Sequence, residues 1–207
     1  WASNFNIGKF AFIESISPFT LAFLRWLLVW IILMPFTYKE IYSLKKIIFK
    51  NFKLLFLLVA TSVFLFTALT YKALNYTQVI NASLFNTAIP ATIILVCFLL
   101  KIEKTNIFQL SGLLISTLGI LVIITKLDLD ILLSLDFNTG DLFMVAAIIS
   151  WGVYSAFLKK RNFEISLLAL VQVICTFGLL MLAPAFLIEL NQGNSININL
   201  NLIYILL

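Results

Sequence analysis

From Ala73 to Leu100 the chain carries no charged residue. About 20 apolar residues are enough for a helix to cross a ~30 Å hydrocarbon layer, so this stretch reads as a membrane-spanning helix. It is not uniformly apolar. Ser83, Asn86 and Pro90 fall within about 60° of one another on a helical wheel, with Val79, Ala82 and Ile93 completing the stripe. Amide and hydroxyl groups in hydrocarbon have no water partners and face a protein interior or a wet cavity. Pro90 lacks the N–H that would bond the Asn86 carbonyl, which loosens the helix beside its own polar groups. Two readings follow: a substrate path, or polar residues that hold helices together.

Several further uncharged runs make the chain an all-α polytopic membrane protein. It is 62% hydrophobic and only 11% charged, with a mean hydropathy of +1.10, whereas soluble domains carry about 25% charged residues. The net charge of +5 is therefore no nucleic-acid signal, and its meaning depends on where the charges lie. With no histidine in the chain, histidine-ligated metal sites and histidine catalysis are excluded. Cys97 and Cys175 sit inside apolar runs as small packing residues.

In order, residues 1–13 read as the second half of a first span, holding Trp1, Asn4, Gly8 and Lys9. Pro18 suits the first turn of a second helix over 18–38, which carries Arg25. The basic segment 39–53 has apolar residues at helical spacing, so a separate helix lying along the interface is expected there. Helix three covers 54–71 and helix four is the uncharged stretch. Helix five (107–125) presents Gly112, Ser116 and Gly119, a small-residue face suited to close helix contact. A loop with Asp128, Asp130, Asp136 and Asp141 follows. Two acids at Asp128 and Asp130 make an incomplete divalent-ion site, so this loop reads as solvated. Helix six (142–158) holds Trp151 and Tyr154, helix seven (166–188) holds Gln172, Gly178 and Pro184, and an eighth begins at Leu200. The chain opens at Trp1 inside one apolar segment and closes inside another, so it is expected to be truncated at both ends.

One set of connections collects Lys39, Lys45, Lys46, Lys50, Lys53, Lys101, Lys104, Lys159, Lys160 and Arg161, while the other has only Lys72 and Lys126. The positive-inside rule then puts loops 39–53, 101–106 and 159–165 in the cytoplasm and the acidic 127–141 loop outside. The setting is a cell membrane, with a bacterial inner membrane expected. Internal echoes are visible as well. Trp1 with Lys9 is matched by Trp151 with Lys159, and Leu21-Ala-Phe-Leu-Arg25 by Leu168-Ala-Leu-Val-Gln172. These suggest a five-helix repeat. An odd number of spans forces the second copy to insert upside down, as in many secondary transporters.

The segments W-A-S-N (1–4), S-P-F-T-L-A-F-L-R (17–25) and N-A-S-L-F-N-T-A-I-P (81–90) are similar to motifs of the drug/metabolite transporter superfamily, EamA-like branch. So are I-E-K (102–104), Q-L-S-G-L-L-I-S-T-L-G-I (109–120) and G-D-L-F-M-V-A-A-I-I-S-W-G-V-Y-S-A (140–156), in order along nearly the whole chain. One departure is small: Glu103-Lys104 stands where the family often has Glu-Arg. The resemblance implies ten helices as two inverted five-helix repeats, with 1–126 as the first repeat and 140–207 as the start of the second. It also implies export of small metabolites such as amino acids, from a site among helices one to four and six to nine.

The candidate substrate-binding residues are Asn4, Arg25, Ser83, Asn86, Pro90, Trp151 and Tyr154. Arg25 is the only charge between Ser15 and Tyr38, and a guanidinium at that depth must be paired or hydrated. It reads as a counter-charge for a substrate carboxylate, or as a structural partner for carbonyls or for Glu14. Lys9 is expected to snorkel outward beside Glu14 rather than face the cavity. Trp1, Trp151 and Tyr154 read as aromatic cavity walls or as packing. Tyr71, Asn75 and Tyr76 read as an aromatic belt at the outer mouth. The leading function is a secondary transporter exporting small metabolites, with a small-molecule substrate and the bilayer as partners and no cofactor or metal. A membrane-embedded lipid-handling protein or enzyme is the alternative. It is disfavoured because the span interiors hold no Asp or His. A seven-helix receptor-like protein is a third possibility, against which the repeat speaks. Any proton coupling would fall to helix-end acids such as Glu14 or Glu103.

Overall fold

In the computed structural model, residues 2–103, 106–125 and 138–192 are described. Trp1, Lys104, Lys126, Asp128, Asp130, Asp136 and the eighth helix expected from Leu200 lie outside them. The described residues form helices without strands: α1 (Ala2–Ile13), α2 (Pro18–Lys50), α3 (Phe52–Leu74), α4a (Val79–Asn86), α4b (Ile89–Leu99), α5 (Ile107–Thr125), α6 (Thr139–Lys159) and α7 (Leu167–Asn191). Helices α2, α3, α6 and α7 are each long and apolar enough to cross a membrane. The protein is an all-α polytopic membrane protein.

The second helix differs from expectation. It does not stop at Tyr38 but runs unbroken through Pro35 and the basic segment to Lys50, 33 residues and roughly 50 Å. Residues 39–50 contain neither Gly nor Pro, so nothing stops the helix until Asn51. There the backbone turns out of the helix (φ −100°, ψ 18°) and α3 begins at the next residue. The separate interfacial helix is thus an extension of the span.

Helix α3 contains a feature with no sequence signal, a π-helical stretch from Ala60 to Thr67. Wider turns leave carbonyls poorly matched, and hydroxyl groups answer them. Thr61 Oγ1 donates to Leu57 O at 2.7 Å, Ser62 Oγ to Leu58 O at 2.6 Å, and Thr67 Oγ1 to Ser62 O at 3.2 Å. From α6, Ser150 Oγ donates to Thr61 O at 2.6 Å.

The uncharged stretch is two helices, not one. Thr87 N–H and Ala88 N–H turn back to Leu84 O and Phe85 O in tight 3.0 Å bonds, and α4b starts at Ile89 with Pro90 in its first turn. Proline fits there because first-turn N–H groups have no helical partner. The expected single stripe is consequently divided, with Ser83 and Asn86 on α4a and Pro90 and Ile93 on α4b.

The core runs along the α1–α2–α3–α6–α7 contacts and includes Phe5, Leu21, Leu55, Leu58, Leu74, Met144, Leu170 and Leu182. Cys97 and Cys175 are buried free thiols. Helix α5 lies at the edge with its side chains largely exposed. A Cβ on Gly112 or Gly119 would meet nothing within 4 Å, so its small-residue face makes no close contact among the described residues. Asp141 is not a loop acid. It closes the capping box of α6 with Asn138 and is 7% exposed.

The basic connections share one end of the molecule. Glu40 meets Ser166, and Glu103 pairs with Lys159. At the other end Lys9 meets Leu74 and Thr77, and Thr77 meets Asp141.

Candidate functional site

Two clusters gather the expected residues. In the first, Arg25 of α2 donates from Nη1 to Asn4 Oδ1 of α1 at 2.6 Å and to the Tyr71 hydroxyl of α3 at 3.0 Å. Tyr71 in turn donates to Asn4 Oδ1 at 3.0 Å. Close approach of α1 to α3 makes this possible. Gly8 lies one turn from Asn4, and a Cβ there would come within 2.5 Å of Leu74 Cδ1 and 3.0 Å of Tyr71 Cδ1. All partners of the guanidinium are neutral, and among the described residues no carboxylate pairs with it. Arginine offers five N–H donors and keeps its charge in any protein setting. The cluster therefore holds a cation in a fixed pose with no counter-charge among the described residues.

Tyr71 was expected at the outer interface, but it is only 4% exposed and belongs to this triangle. Sequence periodicity does not distinguish a belt tyrosine from a buried one near a helix end. Lys9 lies at the end opposite the basic connections, where its ammonium donates to Leu74 O at 2.8 Å and Thr77 O at 3.3 Å. It thereby caps the carbonyl end of α3, where the helix dipole favours a cation.

In the second cluster, Trp151 of α6 packs against Phe66 of α3 (ring centroids 4.6 Å apart) and Tyr154 (5.0 Å). Phe66 and Ile89 share a buried group with Ala147 and Ile148, against which Ala88 and Trp151 pack. The aromatic wall thus stands at the break between α4a and α4b. Gly152 brings α6 tight onto α4b, since a Cβ there would lie 2.9 Å from Thr92 Cγ2. Asn86 closes α4a with its side-chain Oδ1 buried and, among the described residues, without a hydrogen-bond partner. Ser83 is partly buried and Pro90 exposed.

Helix α3 joins the clusters. Phe66 and Tyr71 are five residues apart, about 7.5 Å along the axis. Between them Thr67 accepts from Trp26 Nε1 at 3.4 Å, one residue from Arg25. Tyr71, Trp26, Thr67 and Phe66 are the members that sequence reasoning missed as site residues. For the three on α3 the available signal was the density of Thr and aromatic residues along 61–71, with Thr61, Phe64, Phe66, Thr67, Thr70 and Tyr71; Trp26 had none beyond its place next to Arg25.

A groove of about 740 Å³ opens elsewhere, between α2 and α7, lined by Trp30, Thr37, Tyr42, Lys45, Gln172 and Thr176 among others. None of the expected site residues lines it.

The pattern of the EamA-like transporter family matches residues 1–125. The chain belongs to the EamA-like transporter family. This agrees with the resemblance carried by the motifs in helices one to six. The chain is also 30% identical over 185 residues to a protein of Archaeoglobus fulgidus described as an uncharacterized transporter, over 89% of this chain and 62% of that relative. No solved structure matches. Family and relative both point to a transporter rather than an enzyme.

Proposed function

We propose that this EamA-like protein is part of a secondary transporter that exports small carboxylate-bearing metabolites, amino acids among them, by alternating access across the cytoplasmic membrane. The observation that carries the reading is Arg25: a charge inside the spans, oriented by Asn4 and Tyr71, and neutralised by neither. A cation at that depth is costly unless a partner or water meets it, and a substrate carboxylate supplies both charge and bidentate geometry. Asn86 Oδ1, buried and unpaired, accepts a donor such as a substrate ammonium. The Phe66–Trp151–Tyr154 wall excludes water on the side of the α4 break. That break is a discontinuous helix beside a polar site, the arrangement by which many transporters expose a midplane site to either face. By the positive-inside rule the end bearing the basic residues of 39–53 and 159–165 faces the cytoplasm.

The test is export of a labelled amino-acid and carboxylate panel from cells expressing the full-length gene, beside an Arg25→Leu variant. Export that falls at least tenfold with membrane levels unchanged supports the reading. Unchanged export removes its basis, and no export of anything on the panel returns the lipid-handling alternative.

A further inference from the structure

Helices α2 and α7 run antiparallel, and a carboxylate of each meets the N-terminal end of the other: Glu189 bonds first-turn groups of α2, and Glu40 bonds Ser166, whose hydroxyl oxygen itself caps α7 at Ala169 N. Ser17, the N-cap of α2, makes no side-chain cap bond. The first-turn groups of α2 are met instead by Glu189 of α7, which accepts from Phe19 N at 3.3 Å, Thr20 N at 2.7 Å and Thr20 Oγ1 at 2.9 Å. At the opposite end Glu40 of α2 accepts from Ser166 N at 3.0 Å and Ser166 Oγ at 2.7 Å, and Ser166 is the N-cap of α7. Glu189 lies in the last turn of its own helix, where the helix dipole disfavours an acid. Its placement is accounted for by the N-terminus of the neighbour.

The seam is joined along its length. Phe23 and Phe186 stack with centroids 4.3 Å apart and planes 6° apart. Trp30 Nε1 donates to Thr176 Oγ1 at 2.9 Å, and Gln172 Nε2 donates to Trp30 O at 3.3 Å. The two helices also carry the same devices in the same order. Ser17 and Ser166, Pro35 and Pro184, and Glu40 and Glu189 are each separated by 149 positions. Pinned at both ends, the pair cannot slide or splay without breaking charge-assisted bonds at one of them. Among the described residues no charge-assisted bond spans the turn at Thr87 and Ala88, whose side-chain bonds are the neutral ones from Thr87 to Leu84 O and from Thr92 to Ala88 O.

We propose that Glu40 and Glu189 are positioning residues that hold α2 and α7 as one rigid body while the protein changes conformation, so that the motion exposing Arg25 occurs around the α4 break. The link to Arg25 rests on the transporter reading; the rigidity of the seam does not.

The full-length protein is reconstituted in lipid vesicles on a Cys97→Ala, Cys175→Ala background. Spin-label pairs are placed at Ser15→Cys with Ile188→Cys for one end, and Lys39→Cys with Leu168→Cys for the other. Each pair is expected to give a single narrow distance, unchanged by adding the amino-acid panel. Glu189→Leu is expected to broaden the Ser15–Ile188 distance, and Glu189→Gln, which keeps an acceptor oxygen, to restore most of it. Two distances at either end of the parent protein, or no broadening in Glu189→Leu, overturns the proposal. A Phe23→Cys, Phe186→Cys disulfide gives the functional counterpart, with export by the locked protein expected within about twofold of the reduced form. Export by the reduced but not the locked form overturns the rigid seam, whereas export by neither counts against the transporter reading and leaves the distances to decide.

Discussion

Asn4 Oδ1 lies 2.6 Å from Arg25 Nη1 and 3.0 Å from the Tyr71 hydroxyl, so one amide oxygen fixes a cation and a phenol contributed by two other helices. Replacing Asn4 by Leu leaves the guanidinium with one bond where it had two. Loss of a hydrogen bond to a charged group costs about 1.5–3 kcal/mol. Export is expected to fall with Asn4→Leu, and less with Asn4→Asp, whose carboxylate still holds Arg25 but competes with an anionic substrate. A substrate titration checks this: Asn4→Asp should raise KM more than it lowers the maximal rate.

Asn86 separates path from scaffold. Because its Oδ1 is buried without a partner among the described residues, removing the amide relieves a desolvation penalty of about 1–3 kcal/mol. Asn86→Leu is expected to keep or raise the thermal midpoint in detergent while reducing export. A variant that exports normally would make the residue purely structural.

Glycine positions divide by what surrounds them. A Cβ at Gly140 would sit 2.8 Å from Ala73 O, a backbone atom that cannot swing aside, and 2.9 Å from Thr77 Cβ. Gly140→Ala is expected to destabilise by about 1–3 kcal/mol through overpacking. Gly119→Ala meets nothing within 4 Å among the described residues and gains about 0.8–1 kcal/mol of helix propensity. Paired melting curves of the two variants, moving in opposite directions, check the assignment.

The α2–α7 seam should respond to acid at its basic end. Bonds from the Ser166 hydroxyl and N–H hold the Glu40 carboxyl below its usual value of 4.5. A folded-state pKa below the unfolded one contributes stability that is present above pH 4.5 and lost as pH falls through the folded value. Melting midpoints across pH 3–7 are expected to decline less steeply at the acid end in Ser166→Ala than in the parent. Identical slopes would show that Glu40 is not held by this contact.

Much of the architecture was legible in the chain. Uncharged runs marked the spans, and the lysine distribution grouped loops that the structure does bring to one end through Glu40–Ser166 and Glu103–Lys159. Family motifs pointed to the EamA-like family that the comparison shows. Of the site, Arg25 and Asn86 stood out because charge and amide groups are conspicuous in hydrocarbon. The partners of Arg25 did not. Tyr71 looks like any aromatic near a helix end, and only the approach permitted at Gly8 reveals its role.

Hydropathy and charge act through the solvent, and each residue carries them wherever the chain goes. The sequence by itself therefore determined that the protein is helical, spans a membrane and has one basic end. Whether Pro90 bends a helix or starts a new one, whether Lys9 reaches lipid or carbonyls, and whether Glu189 burdens its own helix or caps another depend on which donor and acceptor lie within about 3 Å. For Lys9 and Glu189 those distances join residues 65 to 170 positions apart, and only the tertiary structure decided them.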